Sequence, residues 1–237
     1  MYKVSIIVLA FNENQSLRKT IQDLAALTDL TSTRILISTS ANASIECLEA
    51  AKALESEFLN VNVYFQNKPF VAAAVLEALE LCNSEYVVYM SADGETPATL
   101  VPSLLREMDR GCFDIVLASR WIQGGSFSNY GRLKWLLSKF AQNLCKFLYA
   151  SDLSEFTYGF RIYRTPFLKT IKFHEEKHPF FLESLLIPIR LGARIKEIPA
   201  AWHPRTEGRS VMDLTTLVAY LRPIFRVRFV SKSKLIK

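Results

Sequence analysis

The sequence predicts an α/β fold, with one mixed, mostly parallel sheet and helices on both of its faces. Short β-prone runs alternate with amphipathic helical stretches through residues 1–120, and this rhythm is typical of parallel strands joined by crossover helices. Hydrophobic residues make up 50% of the 237 residues, which is enough for one sizeable core. No linker-like stretch divides the chain. We therefore expect a single domain over residues 1–211 and a basic amphipathic segment over residues 212–237.

The first half of the chain contains five predicted strands and four predicted helices. The strands are short apolar runs rich in β-branched residues, at 4–9, 34–38, 60–65, 85–90 and 114–118. The helices place apolar residues at helical spacing, at 15–27, 45–57, 70–82 and 99–108. Asn14 and Ser44 precede two of these helices and are suited to cap their first turns.

The rhythm changes after Ser119. Residues 121–131 hold three glycines among Ser, Asn and aromatic residues, which predicts a long loop. A long loop in a compact domain is commonly functional. Beyond it we expect, in order, a helix, a strand, a helix, a strand and a basic loop, at 133–149, 158–164, 180–191, 194–199 and 204–210.

Composition argues against several classes of protein. No run of about 18 uncharged apolar residues occurs, so we expect no transmembrane helix, and the first residues lead directly into a strand rather than a signal peptide. The cysteines are scattered, without a CxxC pair, and are typical of buried thiols in a reducing cytosol: Cys47, Cys82, Cys112 and Cys145. No nucleic-acid-binding motif accompanies the net charge of +6, and we expect no nucleic-acid partner.

Two carboxylates follow the fourth predicted strand. Asp93 and Glu95 are two residues apart, so in an extended chain they point to the same side, just beyond the carboxyl end of that strand. Ligands bind at this edge of open α/β sheets, and paired acids suit a divalent cation that holds a substrate phosphate. The alternative is an acidic turn before a helix that begins at Pro97.

The C-terminal segment is basic and apolar. After Asp213 there is no acidic residue, and its basic residues alternate with aliphatic and aromatic ones: Arg222, Arg226, Arg228, Lys232, Lys234 and Lys237. An anionic membrane surface attracts segments of this composition. A helix that packs on the core and ends in a frayed basic terminus is the alternative.

Three segments in the second half carry a family resemblance. The run 118–121 with Gly124 and Gly125 is similar to a GSRY…GG pattern, 157–161 resembles TSGFR, and 197–210 resembles an EVP…R..G.S ending. Together, in this order, they resemble the family 2 glycosyltransferases of the GT-A fold. Within that group the chain is most similar to the dolichol-phosphate mannosyltransferase and polyprenyl-phosphate glycosyltransferase branch.

The resemblance implies a site for a GDP- or UDP-sugar donor. Asn12 and Glu13 match the YNE segment that meets the nucleoside, and Ser38 and Thr39 stand where the family has acids that hold the base or ribose. Asp93 matches the second acid of the family's DxD motif, with Ser91 at the first position, and Glu95 is the second predicted ligand for Mg²⁺ or Mn²⁺. Arg205 matches a family position that binds the diphosphate, with Arg209 as its neighbour; a solvated surface charge is the alternative for each arginine.

The resemblance also implies a polyprenyl- or dolichyl-phosphate acceptor. Arg120 and Arg132 would hold the lipid phosphate, with Ser138 as a hydrogen-bond donor and Glu183 near the acceptor, unless Glu183 is a helix-surface carboxylate. Asp93, Arg120 and Arg132 are then the predicted catalytic residues of an inverting transfer. We expect a peripheral protein on the cytoplasmic face of the membrane, with a membrane protein as a further partner.

Two other functions remain open from the sequence. A glycan hydroxyl acceptor would require a general base, for which Glu183 or His203 are the candidates. A glycosyltransferase-like scaffold without catalysis would explain the altered residues at Ser38, Thr39 and Ser91.

Overall fold

The computed structural model of the chain describes residues 2–128, 130–207 and 214–237. Its main sheet has seven strands in the order β3-β2-β1-β4-β7-β5-β8. They are β1 (Val4–Leu9), β2 (Thr33–Thr39), β3 (Val61–Phe65), β4 (Tyr86–Ser91), β5 (Ile115–Ser119), β7 (Arg161–Arg164) and β8 (Ile195–Pro199). A small parallel pair, β6 (Ser126–Phe127) and β9 (Ala201–Trp202), lies beside it.

The sheet is mixed, as predicted. Strands β1 to β4 are parallel to one another, and β5 is parallel to β8. Strand β7 is antiparallel to both of its neighbours, β4 and β5. The carboxyl ends of β1, β2 and β4 therefore meet at one edge of the sheet, where the polar residues that follow them come together.

Helices cover both faces of the sheet. They are α1 (Gln15–Leu27), α2 (Ile45–Glu57), α3 (Val71–Glu80), α4 (Val101–Arg110), α5 (Arg132–Tyr149), α6 (Thr165–Thr170), α7 (Pro179–Leu191) and α8 (Leu214–Phe229). Buried residues of α1, α2 and α4 form a core with one face, and those of α3, α5, α6, α7 and α8 form a core with the other. In α1 to α4 and in α7, the apolar stripe that predicted the helix is buried against the sheet, whereas much of the apolar face of α5 is exposed.

The C-terminal segment packs on the rest of the chain. Ile224 and Val227 of α8 are fully buried, and α8 lies along α7. After the helix, Ile236 pairs with Ile171 in a β-bridge, and the backbone N–H of Lys237 donates to the carbonyl of Thr170 at 2.8 Å. The packed-helix alternative thus describes this segment, while the predicted boundary at residues 211 and 212 falls outside the described residues.

None of the helices in the described ranges is long and apolar enough to cross a bilayer.

Candidate active site

Asp93 and Glu95 both reach one point beyond β4, but through a tight turn and not through the extended chain that their spacing assumed. The Nε atom of Arg205 lies 3.1 Å from Oδ2 of Asp93 and 2.9 Å from Oε1 of Glu95. The turn between the two acids is tight: the backbone N–H of Glu95 donates to Oδ1 of Asp93 at 3.0 Å, and Gly94 has a φ of +85°. A Cβ atom at Gly94 would lie 3.1 Å from Oγ1 of Thr206, so the turn also has little room for a side chain.

Asp93 is almost completely buried, and this affects its charge. Burial raises the pKa of its carboxyl above the ordinary value, the nearby charge of Glu95 raises it further, and Arg205 opposes both effects. The same cluster reaches His178, whose pKa is lowered by desolvation and by Arg205 against the opposing effect of Asp93. His178, at the start of α7, is therefore near enough for the charges of this site to act on it, whereas the histidine considered from the sequence, His203, is exposed.

The donor set at this point suits a hard divalent cation such as Mg²⁺ or Mn²⁺. Within the described ranges, no three His, Cys, Asp or Glu side chains are grouped so that they could hold a metal ion. A cation here would take Asp93 and Glu95 from the protein and its other ligands from substrate oxygens and water, as Mg²⁺ commonly does. The two carboxylates fit such an ion once the guanidinium of Arg205 leaves the point where they meet.

Residues 205–207 form a strap across this edge of the sheet. The backbone N–H of Thr206 donates to the carbonyl of Asp93 at 3.0 Å. The carboxylate of Glu207 accepts hydrogen bonds from the backbone N–H groups of Asn14, Gln15 and Ser16, at 2.8, 3.0 and 3.3 Å. The strap thus connects the Asp93 turn to the first turn of α1. The predicted partner Arg209 lies outside the described residues.

The predicted nucleoside contacts are mostly engaged within the protein. The Glu13 carboxylate accepts from the backbone N–H groups of Phe11 and Asn12, at 2.7 and 3.0 Å. Ser38 is buried and donates its hydroxyl hydrogen to the carbonyl of Ala74 at 2.7 Å, while Thr39 is buried beside the thiol of Cys47.

Aromatic side chains are exposed at the same edge. Phe11 follows β1, and Phe65 pairs with Thr39 in the register of β2 and β3. Both side chains are partly exposed, which suits rings that stack on a nucleobase, whereas the sequence predicted only nucleoside contacts by the neighbouring polar residues.

On the acceptor side, Arg120 follows β5 and is buried. Glu155 binds its guanidinium in a bidentate manner, with Nε–Oε2 and Nη2–Oε1 distances of 2.7 and 2.9 Å. The Nη2 amine also donates to Oγ1 of Thr157 at 3.2 Å. Burial raises the pKa of Glu155, but the charge of Arg120 and its hydrogen bonds outweigh that effect, and the net shift is downward.

Three aromatic rings enclose the guanidinium of Arg120. Its Cζ atom lies 4.8 Å from the ring centroid of Tyr158, 5.2 Å from that of Phe127 and 5.8 Å from that of Tyr130. The hydroxyl of Tyr158 donates to the carbonyl of Glu95 at 2.8 Å. Tyr158 therefore joins the predicted acceptor arginine to the predicted metal turn.

Tyr130 brings two other predicted residues together. Burial raises its pKa, while the charge of Arg120 and a hydrogen bond with Ser138 lower it. Arg120 and Ser138, predicted separately as acceptor residues, thus meet at one phenol. Arg132 is exposed at the first position of α5, the helix that also carries Ser138.

The model of the family described as Glycosyl transferase family 2 matches residues 5–172, which is more than half of the chain. The chain belongs to glycosyl transferase family 2. The matched residues include Asp93, Glu95, Arg120 and Glu155, so the family match covers both halves of the site except the strap.

Relatives with curated names support the same branch. A dolichol-phosphate mannosyltransferase of Pyrococcus furiosus is 24% identical over 230 residues, which cover 95% of this chain and 63% of the relative. A dolichol-phosphate mannosyltransferase of Mycosarcoma maydis is 27% identical, with 95% and 80% covered. A polyprenol monophosphomannose synthase of Mycolicibacterium smegmatis is 29% identical over 54% of this chain and 49% of its own length. The chain therefore spans somewhat less than two thirds of the Pyrococcus protein.

Solved structures confirm the predicted GT-A fold class. The glucosyl-3-phosphoglycerate synthase of Mycobacterium tuberculosis, crystallised with Mn²⁺, UDP and phosphoglyceric acid, superposes with a TM-score of 0.76. The match covers 98% of this chain and 80% of that protein at 16% sequence identity. A structure of the same synthase with Mg²⁺ and UDP has a TM-score of 0.73 at 16% identity.

In this family 2 member, the surroundings of Glu183 differ from both sequence predictions, an acceptor-side acid and a helix-surface carboxylate. It is fully buried in α7 and is not a helix-surface carboxylate. Its carboxylate accepts from the backbone N–H groups of His174 and Glu175, at 3.1 and 2.8 Å, and forms an ion pair with Arg226 of α8. These contacts direct Glu183 toward the C-terminal helix, so they give no support to a role as acceptor ligand or general base.

Proposed function

We propose that this chain transfers a sugar from a GDP- or UDP-sugar to the phosphate of a polyprenyl or dolichyl lipid. The names of the three curated relatives support this acceptor class, and membership of the family supports sugar transfer. The observation that carries the proposal is the position of the acceptor cluster. Arg120 and Tyr130 meet Ser138 of α5, a helix whose outer face is apolar.

The outer face of α5 is suited to the lipid part of such an acceptor. Its exposed apolar residues recur at helical spacing and include Leu133, Leu136, Phe140 and Phe147. Phe140 is 65% exposed and Phe147 is 83% exposed, which is unusual for aromatic side chains on a soluble surface. The helix also carries four basic residues and no acidic one, a composition that anionic lipid surfaces attract. We infer peripheral binding at the cytoplasmic membrane face, with a membrane protein as a further partner.

The acceptor phosphate is the nucleophile in the proposed reaction. It is anionic at neutral pH, so it needs no general base. Its oxygen attacks the anomeric carbon from the side opposite the donor diphosphate. The new carbon–oxygen bond forms as the bond to the nucleoside diphosphate breaks, the electron pair leaves with the diphosphate, and the anomeric configuration is inverted. Arg132 and Ser138 would contact the acceptor phosphate, and the buried guanidinium of Arg120, paired with Glu155, would add positive charge beside Tyr130.

The donor half of the reaction depends on neutralising the leaving group. Asp93 and Glu95 would hold Mg²⁺ or Mn²⁺, which as a Lewis acid stabilises the charge that develops on a leaving diphosphate. Arg205 would bind the diphosphate oxygens through its planar guanidinium. Tyr158 connects the Glu95 carbonyl to the rings around Arg120, and through these contacts it would hold the proposed donor and acceptor groups at a fixed spacing.

The activity is tested by transfer to lipid. Purified protein is incubated with radiolabelled GDP-mannose or UDP-glucose, Mn²⁺ and polyprenyl phosphate in vesicles, and label in the organic phase is measured. We expect labelled lipid from one donor, with at least a hundredfold loss in Asp93→Asn, because the variant removes a charged ligand. Absence of labelled lipid with every donor in the wild-type protein would refute the proposed function.

A glycan hydroxyl is the second candidate acceptor, because His178 is near enough to be affected by the charges of Arg205 and Asp93 and its lowered pKa favours the neutral form that a general base requires. A parallel assay with oligosaccharide acceptors separates the two candidates. Transfer to a glycan that is abolished in His178→Gln would favour this second candidate.

A further inference from the structure

The guanidinium of Arg205 lies where the two carboxylates of the predicted metal site meet. A single nitrogen, Nε, is 3.1 Å from an oxygen of Asp93 and 2.9 Å from an oxygen of Glu95. We propose that Arg205 is the built-in counter-cation of this carboxylate pair and exchanges places with the divalent cation when a nucleoside diphosphate binds. The inference rests on the proposed function for the identity of the ligand, while the contact itself is independent of it.

Charge and space both require an exchange. A divalent cation binds carboxylate oxygens at about 2.0–2.2 Å. Nε lies within 3.1 Å of both oxygens, so an ion coordinated by the same two oxygens would be in close contact with the positively charged guanidinium. Ser91 supplies no third carboxylate at the end of β4, so the pair carries two negative charges and cannot neutralise both cations.

The backbone around Arg205 is held independently of its side chain. Thr206 is hydrogen-bonded to the Asp93 carbonyl, and Glu207 is bonded to the first turn of α1. Rotation of the Arg205 side chain is therefore sufficient for the exchange, and the strap keeps the released guanidinium close to the same edge of the sheet. The N–H donors of the released guanidinium then match the oxygens of a diphosphate. The positive charge that had neutralised the carboxylates is thereby moved to the leaving group.

If the exchange occurs, removing the charge of Arg205 should strengthen Mn²⁺ binding and weaken nucleotide binding. In Arg205→Gln, the carboxylate pair loses its internal competitor, and we expect Mn²⁺ alone to bind about tenfold more tightly than to the wild-type protein. This lies between the weak effect of exposed ion pairs and the strong effect of buried ones. With Mn²⁺ present, GDP or UDP should bind at least tenfold more weakly to the variant, because the diphosphate loses its guanidinium.

Free Mn²⁺ is measured by electron paramagnetic resonance, and nucleotide binding by calorimetry. Arg205→Lys keeps the charge and should leave Mn²⁺ affinity within about threefold of the wild-type value, because an ammonium still competes. Arg110→Gln removes the same charge from an exposed position at the end of α4 and should change neither affinity. Thermal unfolding of each variant verifies that the fold is intact.

The two proposals fail in different ways. Equal Mn²⁺ affinity in the wild-type protein and Arg205→Gln, including no measurable binding to either, would overturn the counter-cation. Tighter Mn²⁺ binding by the variant, with no nucleotide binding by the wild-type protein under any condition, would support the counter-cation and refute the donor site of the proposed function.

Discussion

At the scale of single residues, Glu155 organises the acceptor side of the site. It is fully buried, and besides Arg120 it accepts hydrogen bonds from the backbone N–H groups of Thr157 and Tyr158, at 3.1 and 3.0 Å. Gln142 of α5 donates to the same carboxylate at 3.2 Å. The orientation of Arg120 is therefore set from behind by Glu155, and the aromatic rings hold it on its other sides.

Removing the charge of Glu155 should destabilise the protein. We expect Glu155→Gln to lower the free energy of unfolding by about 3–5 kcal/mol at pH 7, because the buried charge of Arg120 loses its partner. The folded-state pKa of Glu155 is lowered, so its contribution is present above the pKa of an unfolded glutamate, about 4.3. It is lost as pH falls through the folded-state pKa. Urea unfolding at pH 7 and at steps below pH 5 measures both effects.

The double variant Arg120→Met, Glu155→Gln is the control. It removes the unpaired charge together with its partner and should recover part of the lost stability. Equal stability of wild-type protein and Glu155→Gln at pH 7 would contradict the assignment of Glu155 as the counter-charge.

At the scale of elements, the start of α3 contains a strained residue. The backbone of Phe70 has φ +75° and ψ 163°, a conformation that residues other than glycine rarely adopt. The preceding loop is held by Glu77, whose carboxylate accepts from the backbone N–H groups of Asn67 and Lys68, at 2.7 and 3.1 Å. The ring of Phe70 lies under the ammonium of Lys177 at 4.9 Å, next to His178. The surrounding contacts thus impose this backbone conformation at the rim of the site.

A pair of substitutions isolates the backbone strain at Phe70. We expect Phe70→Gly to be more stable than Phe70→Ala by about 1–2 kcal/mol, the reverse of the usual order. Both variants lose the same ring, so the difference between their free energies of unfolding in urea reports the conformation. An alanine variant as stable as the glycine variant would show that the loop relaxes when the ring is removed.

At the scale of the whole molecule, sequence periodicity was sufficient to predict most helices and strands, but it could not predict how the strands are ordered in the sheet. Alternation and helical spacing predicted the strands of the parallel half to within one residue of their observed bounds, because those residues are buried against the sheet. The antiparallel insertion of β7 between β4 and β5 could not be predicted, since strand order depends on contacts distant in sequence. The short helix α6 was also missed, because its six residues are too few for periodicity.

Contacts between residues distant in sequence also limited what could be predicted about the candidate active site. The carboxylates of Asp93 and Glu95 lie close together, as the sequence predicted, but a tight turn at Gly94 brings them there and not an extended backbone. Glu155 and Glu207 were missed, because their partners lie 35 and 193 residues away in the chain. The acid-free composition of the C-terminal segment suggested a membrane contact, yet Arg222 and Arg226 form ion pairs with acids that precede them by 47 and 43 residues.

The outer face of α5 is therefore the better candidate for membrane contact, and vesicle binding tests it. We expect Phe140→Glu to reduce binding to anionic vesicles about tenfold or more. An inserted phenylalanine contributes about 1.5–3 kcal/mol, and 1.4 kcal/mol corresponds to a factor of ten. Sedimentation with vesicles of anionic and of zwitterionic phospholipid measures the binding. The wild-type protein should prefer the anionic vesicles and lose affinity as salt is added, because the four basic residues of α5 attract the surface.

Leu59→Glu is the matched control. Leu59 is 103% exposed in the connection between α2 and β3, and that connection lies at the edge of the sheet opposite the carboxyl ends of β1, β2 and β4. Its replacement adds the same charge and removes a similar apolar side chain without touching α5, so vesicle binding should stay within about twofold of the wild-type value. Equal losses in both variants would show that net charge alone governs binding. A wild-type protein that fails to sediment with either vesicle would refute the membrane role of α5, and the acceptor would then have to reach Arg120 from solution.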